Sequence, residues 1–239
     1  MKRVNTQIFT TALLSFVLAV TAEAGFKTYR GTVTKVVDGD TIKFLPDGSE
    51  DIANPWSIRM ITTDTPETHL PGLGGPFSQG IWGEEAHQQL QSLVKVGETV
   101  EVDSYGTDGY GRVLGRVFKR GNIDVNLAML KSGWAALYVI CDAKSCDDQP
   151  KYRTACDEAM DNGRGIYNPR HRLPQMPFIF RSVKQQRPLA KFVGNVRTKK
   201  FYEPSQYARI PVCDRTFFMT KSDAKREGYI PANVPVNAN

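Results

Sequence analysis

The chain has 239 residues, of which 41% are hydrophobic and 23% charged, enough to bury one core of moderate size with a smaller appendage. That balance excludes a disordered or collagen-like protein. The net charge of +6 is unevenly spread: residues 25–168 carry 15 basic and 20 acidic side chains, whereas residues 169–239 carry 14 and 4, so the second segment reads either as an anion-binding tail for nucleic acid or anionic lipid or as a plain solvated surface.

Lys2 and Arg3 precede an apolar run over residues 8–22 that ends in the small-x-small triplet Ala22-Glu23-Ala24. These are the three parts of a secretory signal peptide, and the run is too short for a membrane span. Residues 1–24 are therefore set apart from the fold, and a secreted or periplasmic monomer without a membrane anchor is expected. In an oxidising compartment the four cysteines pair. Cys141 with Cys146 or Cys156 would staple a local loop, while a bond to Cys213 would tie the tail to the first domain; the spacing leaves the choice open and matches no common zinc pattern.

Residues 28–37 alternate and are rich in Val and Thr, 41–45 form a second run and 56–61 a third, which predicts three strands. Asp38-Gly39 and Pro46-Asp47-Gly48 mark the turns after the first two. Ala86, Leu90, Leu93 and Val94 recur at helical spacing and predict an amphipathic helix over 84–94. Two more strands, 99–103 and 112–119, flank the turn-rich stretch from Tyr105 to Gly111. Asp124 caps a short helix through Lys131 that stops near Gly133, and 152–161 predicts a third helix ended by Gly163.

Five short strands with a helix between the third and fourth predict an α+β protein, a five-stranded OB-fold Greek-key β-barrel with about three helices, over residues 25–168. Pro169, Pro174, Pro177 and Pro188 mark a linker over 169–187, in which 176–180 is apolar enough to strap onto the barrel. Residues 188–239 read as a small basic C-terminal module with strands 191–196 and 216–220 and a helix capped by Ser222 and closed by Gly228.

The chemistry-bearing residues cluster at strand ends. Asp40 follows a turn and Asp64 a strand, so two carboxylates can converge on one hard cation, with backbone carbonyls and water completing its oxygen shell. Glu67 follows Pro66, whose fixed φ aims the carboxylate away from the strand, where it can hold a water as general base. Arg59 and Arg112 lead strands and can neutralise phosphate charge. An acid pair, a third carboxylate and two arginines make up a minimal set for hydrolysing a phosphodiester. Singly, each has a plain structural reading as a turn former or surface ion pair.

Taken in order, Val37-Asp38-Gly39-Asp40-Thr41, Arg59-x4-Asp64-Thr65-Pro66-Glu67-Thr68, Trp82-Gly83-Glu84-Glu85-Ala86, Asp108-Gly109-Tyr110-Gly111-Arg112 and Asn126-x6-Gly133-Trp134-Ala135 closely resemble the staphylococcal nuclease (thermonuclease) family over residues 28–167. The resemblance implies an OB-fold and a Ca2+-dependent nuclease acting on single-stranded or loosened DNA and on RNA, with water attacking phosphorus and a 3′-phosphate left behind. It also implies roles: Asp40 and Asp64 as metal carboxylates, Thr65 as a carbonyl ligand, Glu67 as general base, Arg59 and Arg112 as phosphate-binding arginines, and Tyr110 and Tyr138 as nucleotide contacts. Ile140 stands where a second nucleotide-contacting tyrosine is expected, and Gly109 replaces a lysine. The loop 70–82 offers Phe77, Ile81 and Trp82 either as a platform for bases or as packing for the loop itself. The tail resembles a small Cys/His module, but Tyr202, Gln206 and Ala232 stand at its ligand positions, so no zinc is expected there. The alternative from another class is a non-catalytic, exported nucleic-acid-binding OB protein with a structural calcium, and a third is an adhesion module driven by the basic tail.

Overall fold

The computed structural model describes residues 26–68, 77–142 and 146–233; the signal-peptide reading and much of the loop at 70–82 lie outside them. Chain order begins with β1 (Lys27–Val36), β2 (Thr41–Pro46), β3 (Trp56–Met60) and the short β4 (Thr62–Asp64). Helix α1 (Ile81–Leu93) leads to β5 (Thr99–Thr107), β6 (Val113–Lys119) and β7 (Ile123–Asp124), then α2 (Val125–Lys131), β8 (Ala136–Cys141) and α3 (Pro150–Asp161). The C-terminal part comprises α4 (Pro177–Lys184), β9 (Phe192–Asn195), β10 (Lys200–Tyr202), β11 (Arg215–Phe218), α5 (Lys221–Arg226) and β12 (Ile230–Pro231).

Five strands close a barrel. β1 pairs antiparallel with β2 and β5, β2 with β3, and β5 with β6, and a parallel pairing of β3 with β6 (Ile58 opposite Val113, Met60 opposite Gly115) seals the circle. Val33, Ile42, Phe44, Ile58, Met60, Val100, Val102 and Val117 are the inward residues, all fully or nearly fully buried, as the period-two alternation requires. Leu90 and Val94 at the end of α1 and Met129 and Leu130 of α2 extend the same core. Asn126 closes the polar accounting at the seam: its amide donates to the carbonyls of Ile61 and Gly115 and its Oδ1 accepts from the Val117 backbone N–H. The predicted α+β OB-fold barrel is what the chain adopts.

Beyond the third predicted strand, 56–61, the structure adds one that the sequence pattern does not predict. Ile61 ends the barrel run, and Thr62 takes a left-handed φ of 63°, a sparsely populated conformation for a β-branched residue. This pivot turns the chain out of the barrel and starts β4, which ends at Asp64. A second sheet is built on it. β4 pairs antiparallel with β8 (Thr62 opposite Tyr138), β8 runs parallel to β11 (Val139 opposite Thr216), and β9, β10 and β12 follow in order. Strands from residues 188–239 thus continue a sheet begun beside the barrel, and Phe201, Phe218 and Tyr229 are buried in the same core as Val139 and Tyr152. The disulfides are Cys141–Cys146, a local staple, and Cys156–Cys213, which joins α3 to the turn before β11.

Two local expectations are revised. The cap of α5 is Thr220 rather than Ser222: its hydroxyl accepts from the Asp223 backbone N–H and the Asp223 carboxylate returns a bond to the Thr220 backbone, a reciprocal capping box. Within the proline-marked stretch, Pro177 opens α4 at a position where its missing N–H costs nothing, and Phe178, Ile179 and Phe180 are buried. No helix among the described residues is long and apolar enough to cross a membrane.

Candidate active site

The turn between β1 and β2 presents Asp40 to the end of β4. The Asp38 carboxylate accepts the Asp40 backbone N–H at 2.9 Å, and Asp40 Oδ2 accepts the Thr65 backbone N–H at 3.0 Å, joining the two acidic segments directly. The approach is close because Gly39 has no side chain: a Cβ there would lie 2.7 Å from Thr65 Oγ1. Gly83 in the first turn of α1 does the same for the loop carrying Glu67, where a Cβ would meet the Glu67 carbonyl oxygen at 2.5 Å.

Arg59 lies between the two aspartates. Its Nη1 is 3.1 Å from Asp40 Oδ2 and its Nη2 3.0 Å from Asp64 Oδ1, while Nη1 also donates to the carbonyls of Met60 and Thr63. Arg181 of α4 reaches the cluster from the other side. Its Nη1 is 2.7 Å from Asp64 Oδ1 and 2.7 Å from Glu67 Oε1. Asp64 is fully buried, and its Oδ2 has no hydrogen-bond partner.

Burying this much charge requires pairing. Burial by itself lowers the pKa of both arginines, but Asp40 and Asp64 more than offset it for Arg59, and Asp64 and Glu67 for Arg181, so both guanidinium groups are held above their usual range. Burial raises Glu67, and Arg181 opposes that rise in part. Asp38 is pushed up to about 7, first by burial and then by the Asp40 charge. Four carboxylates therefore face two arginines in a small volume.

A family model described as staphylococcal nuclease homologue matches residues 57–169. Endonuclease YhcR of Bacillus subtilis is 34% identical over 204 residues, covering 84% of this chain, which spans 16% of that longer protein. An uncharacterized endonuclease of Escherichia coli is 30% identical over 154 residues, covering 64% of this chain and 86% of its own length. A probable endonuclease, LCL3, of Uncinocarpus reesii is 31% identical over 164 residues, with 57% and 52% covered. The chain belongs to the staphylococcal nuclease family.

Within this family frame the expected site residues fall into two groups. Asp40, Arg59, Asp64, Thr65 and Glu67 are brought together as described. Arg112 is engaged elsewhere: its Nε donates to Asp108 Oδ2 at 2.9 Å, and Asp108 Oδ1 accepts the backbone N–H groups of Tyr110 and Arg112. Burial raises the Asp108 pKa, but these bonds outweigh it and hold the carboxyl below its ordinary value. Tyr110 beside it is 74% exposed, with its hydroxyl 3.2 Å from Arg187 Nη1. Tyr138 lies under the C-terminal segment, stacked on Phe178 at 5.4 Å and tilted against Phe217 at 4.7 Å, so the ring face against Phe178 is taken by protein. Burial, then Asp64, pushes its hydroxyl up to about 12. Trp82 stacks on His171 at 4.5 Å and donates to the His171 carbonyl, a contact with the C-terminal side of the chain.

The residues fit a divalent cation. Donors of the acidic cluster are all oxygens, the choice of a hard metal, and the buried Asp64 Oδ2 lacks a partner. Asp40, Asp64 and the Thr65 backbone would hold the ion, with water making up the shell, since no group of three His, Cys, Asp or Glu among the described residues could hold one alone. A cavity of about 510 Å³ lies away from this cluster, lined by Asp148, Arg153, Arg197, Asp214 and Tyr229. Its two arginines are paired, Arg153 with Asp148 and Arg197 with Asp214.

Arg181 was invisible to motif reading. It lies outside the matched region, and its only sequence signal is that an arginine follows the apolar run 176–180, so any docking of that run carries the guanidinium inward.

Proposed function

We propose that the protein is an exported, Ca2+-dependent nuclease that hydrolyses phosphodiester bonds of single-stranded or loosened DNA and of RNA with low sequence specificity. The observation that carries the reading is the buried, half-unpaired Asp64 carboxylate set beside Asp40 and within one guanidinium of Glu67. A bound calcium would neutralise charge on the scissile phosphate and help activate water. Glu67 accepts the proton of the attacking water, Arg59 balances charge on the phosphoryl oxygens, joined by Arg112 once it exchanges Asp108 for the phosphate, and the P–O5′ bond breaks, the 5′ oxygen taking a proton from solvent and leaving a 3′-phosphate. Export is supported by the two disulfides, which belong to an oxidising compartment, and by the N-terminal targeting pattern.

The test is cleavage of end-labelled single-stranded DNA and RNA by the purified protein with added calcium and with chelator, followed by analysis of product ends. Calcium-dependent fragments with 3′-phosphates are expected. Binding of the same oligonucleotides without any cleavage would replace this reading by that of a nucleic-acid-binding OB protein.

A further inference from the structure

The C-terminal side of the chain reaches the loop that carries Glu67 twice, directly through Arg181 and by relay through Gln79, and it holds the first turn of α1 beside that loop. Arg181 Nη1 holds the Glu67 side chain at 2.7 Å and Asp64 at the same distance. The Glu67 backbone N–H donates to Gln79 Oε1, and Gln79 Nε2 in turn donates to the Gln175 carbonyl at 2.8 Å. Trp82, beside Gly83, is bonded to His171. The arm that presents Arg181 is rigid: Pro177 begins α4, Ile179 packs with Val193, Ile210 and Phe217, and Phe178 stacks on Tyr138. The Arg181 side chain thus spans 114 residues of separation from a packed base to reach Glu67.

We infer that Arg181 is a positioning residue of the active site, acting through Glu67: it fixes that carboxylate against Asp64, so that the C-terminal segment completes a site whose other members come from the barrel and the turn that leaves it. The inference rests on the nuclease reading above. Arg59 is shared between Asp40 and Asp64, so Arg181 also helps balance the cluster's charge. What Arg181 adds is the bridge between Asp64 and Glu67, one nitrogen, Nη1, meeting an oxygen of each carboxylate.

The experiment measures kcat and KM on a single-stranded oligonucleotide for the full protein and its Arg181→Ala, Arg181→Lys, Glu67→Gln and Glu67→Gln/Arg181→Ala variants, with thermal unfolding as the check on folding. Misplacing a reacting group by about 1 Å costs on the order of 10²-fold, so Arg181→Ala is expected to lose roughly 10- to 100-fold in kcat while KM moves less than about threefold. Arg181→Lys should recover part of the loss. The double variant should be no slower than Glu67→Gln within about threefold, because a residue that acts through Glu67 has nothing left to position. An unchanged kcat in folded Arg181→Ala overturns the inference; a raised kcat overturns it in favour of a plug. Additive losses in the double variant overturn it in favour of direct contact with substrate. If Arg181→Ala does not fold, the same readings apply to Arg181→Lys in both backgrounds, where a full-rate enzyme overturns the inference. A wild-type protein that does not cleave at all rejects the nuclease reading instead, so the two failures are distinct.

Discussion

Asp64 Oδ1 is met by two arginines that reach it by different routes. Arg59 stands five positions before Asp64, and its place follows from a short run of chain: the end of β3, the left-handed Thr62 and the three residues of β4. Arg181 arrives from α4, and its place depends on the burial of Phe178, Ile179 and Phe180 and on the parallel pairing of β8 with β11 that supports them. A contact built locally leaves a spacing in the sequence, whereas a contact built by docking leaves only composition. The barrel side of the site is thus a motif, and the C-terminal side is a packing outcome.

The comparison can be broken most sharply at Glu67, where both sides meet. Glu67→Gln should lower kcat by roughly 10² to 10⁴, the range for loss of a general base, with oligonucleotide affinity nearly unchanged; retained turnover would remove Glu67 from the chemistry. The two disulfides divide along the same line. In the chain-entropy view, removing Cys156–Cys213, whose partners are 57 residues apart, costs about 4 kcal/mol of stability, against about 2 kcal/mol for Cys141–Cys146, whose partners are 5 apart. Denaturant titrations of the paired Cys→Ser variants check this, and equal costs would show that the C-terminal strands do not depend on the long-range bond.

Gly83→Ala probes the barrel side of the Glu67 loop as Arg181→Ala probes the other. A helix gains up to about 1 kcal/mol from Ala over Gly, but here the new Cβ meets the Glu67 carbonyl oxygen at 2.5 Å. Activity should therefore fall by about tenfold or more, the cost of a displaced catalytic group, even where stability is kept; activity equal to wild type would mean the loop can yield freely. Tyr110, exposed on its turn, tests binding without the chemistry. If it stacks on a base, Tyr110→Ala weakens oligonucleotide binding by about 1–3 kcal/mol and leaves kcat close to wild type, and an unchanged affinity would show that the ring makes no such contact.

The positive tail also changes meaning once folded. Its 14 basic residues suggest one continuous surface for a polyanion. Several are in fact committed within the protein: Arg181 to the acidic cluster, Arg197 to Asp214, Lys221 to Glu203 and Arg226 to Asp223. The positive charge open to a nucleic acid is correspondingly smaller than the count.

Sequence alone determined the five barrel strands, the three helices after and between them, and the run of Arg59, Asp64 and Glu67 that Asp40 joins through Thr65, 25 residues on. Period-two burial, glycine-marked turns and fixed spacings are local, and each can be read within a window of about ten residues. Tertiary structure decided the pivot at Thr62, the cysteine pairing, the covering of Tyr138 by Phe178, and the entry of Arg181. The three residues of β4 are too few to show a period, β8 is buried at four of its six positions and shows no alternation, and both gain stability from neighbours distant in the chain. The burial of one apolar face of α4 then determines where its arginine goes, a choice made by packing across the whole molecule and therefore absent from any stretch of its sequence.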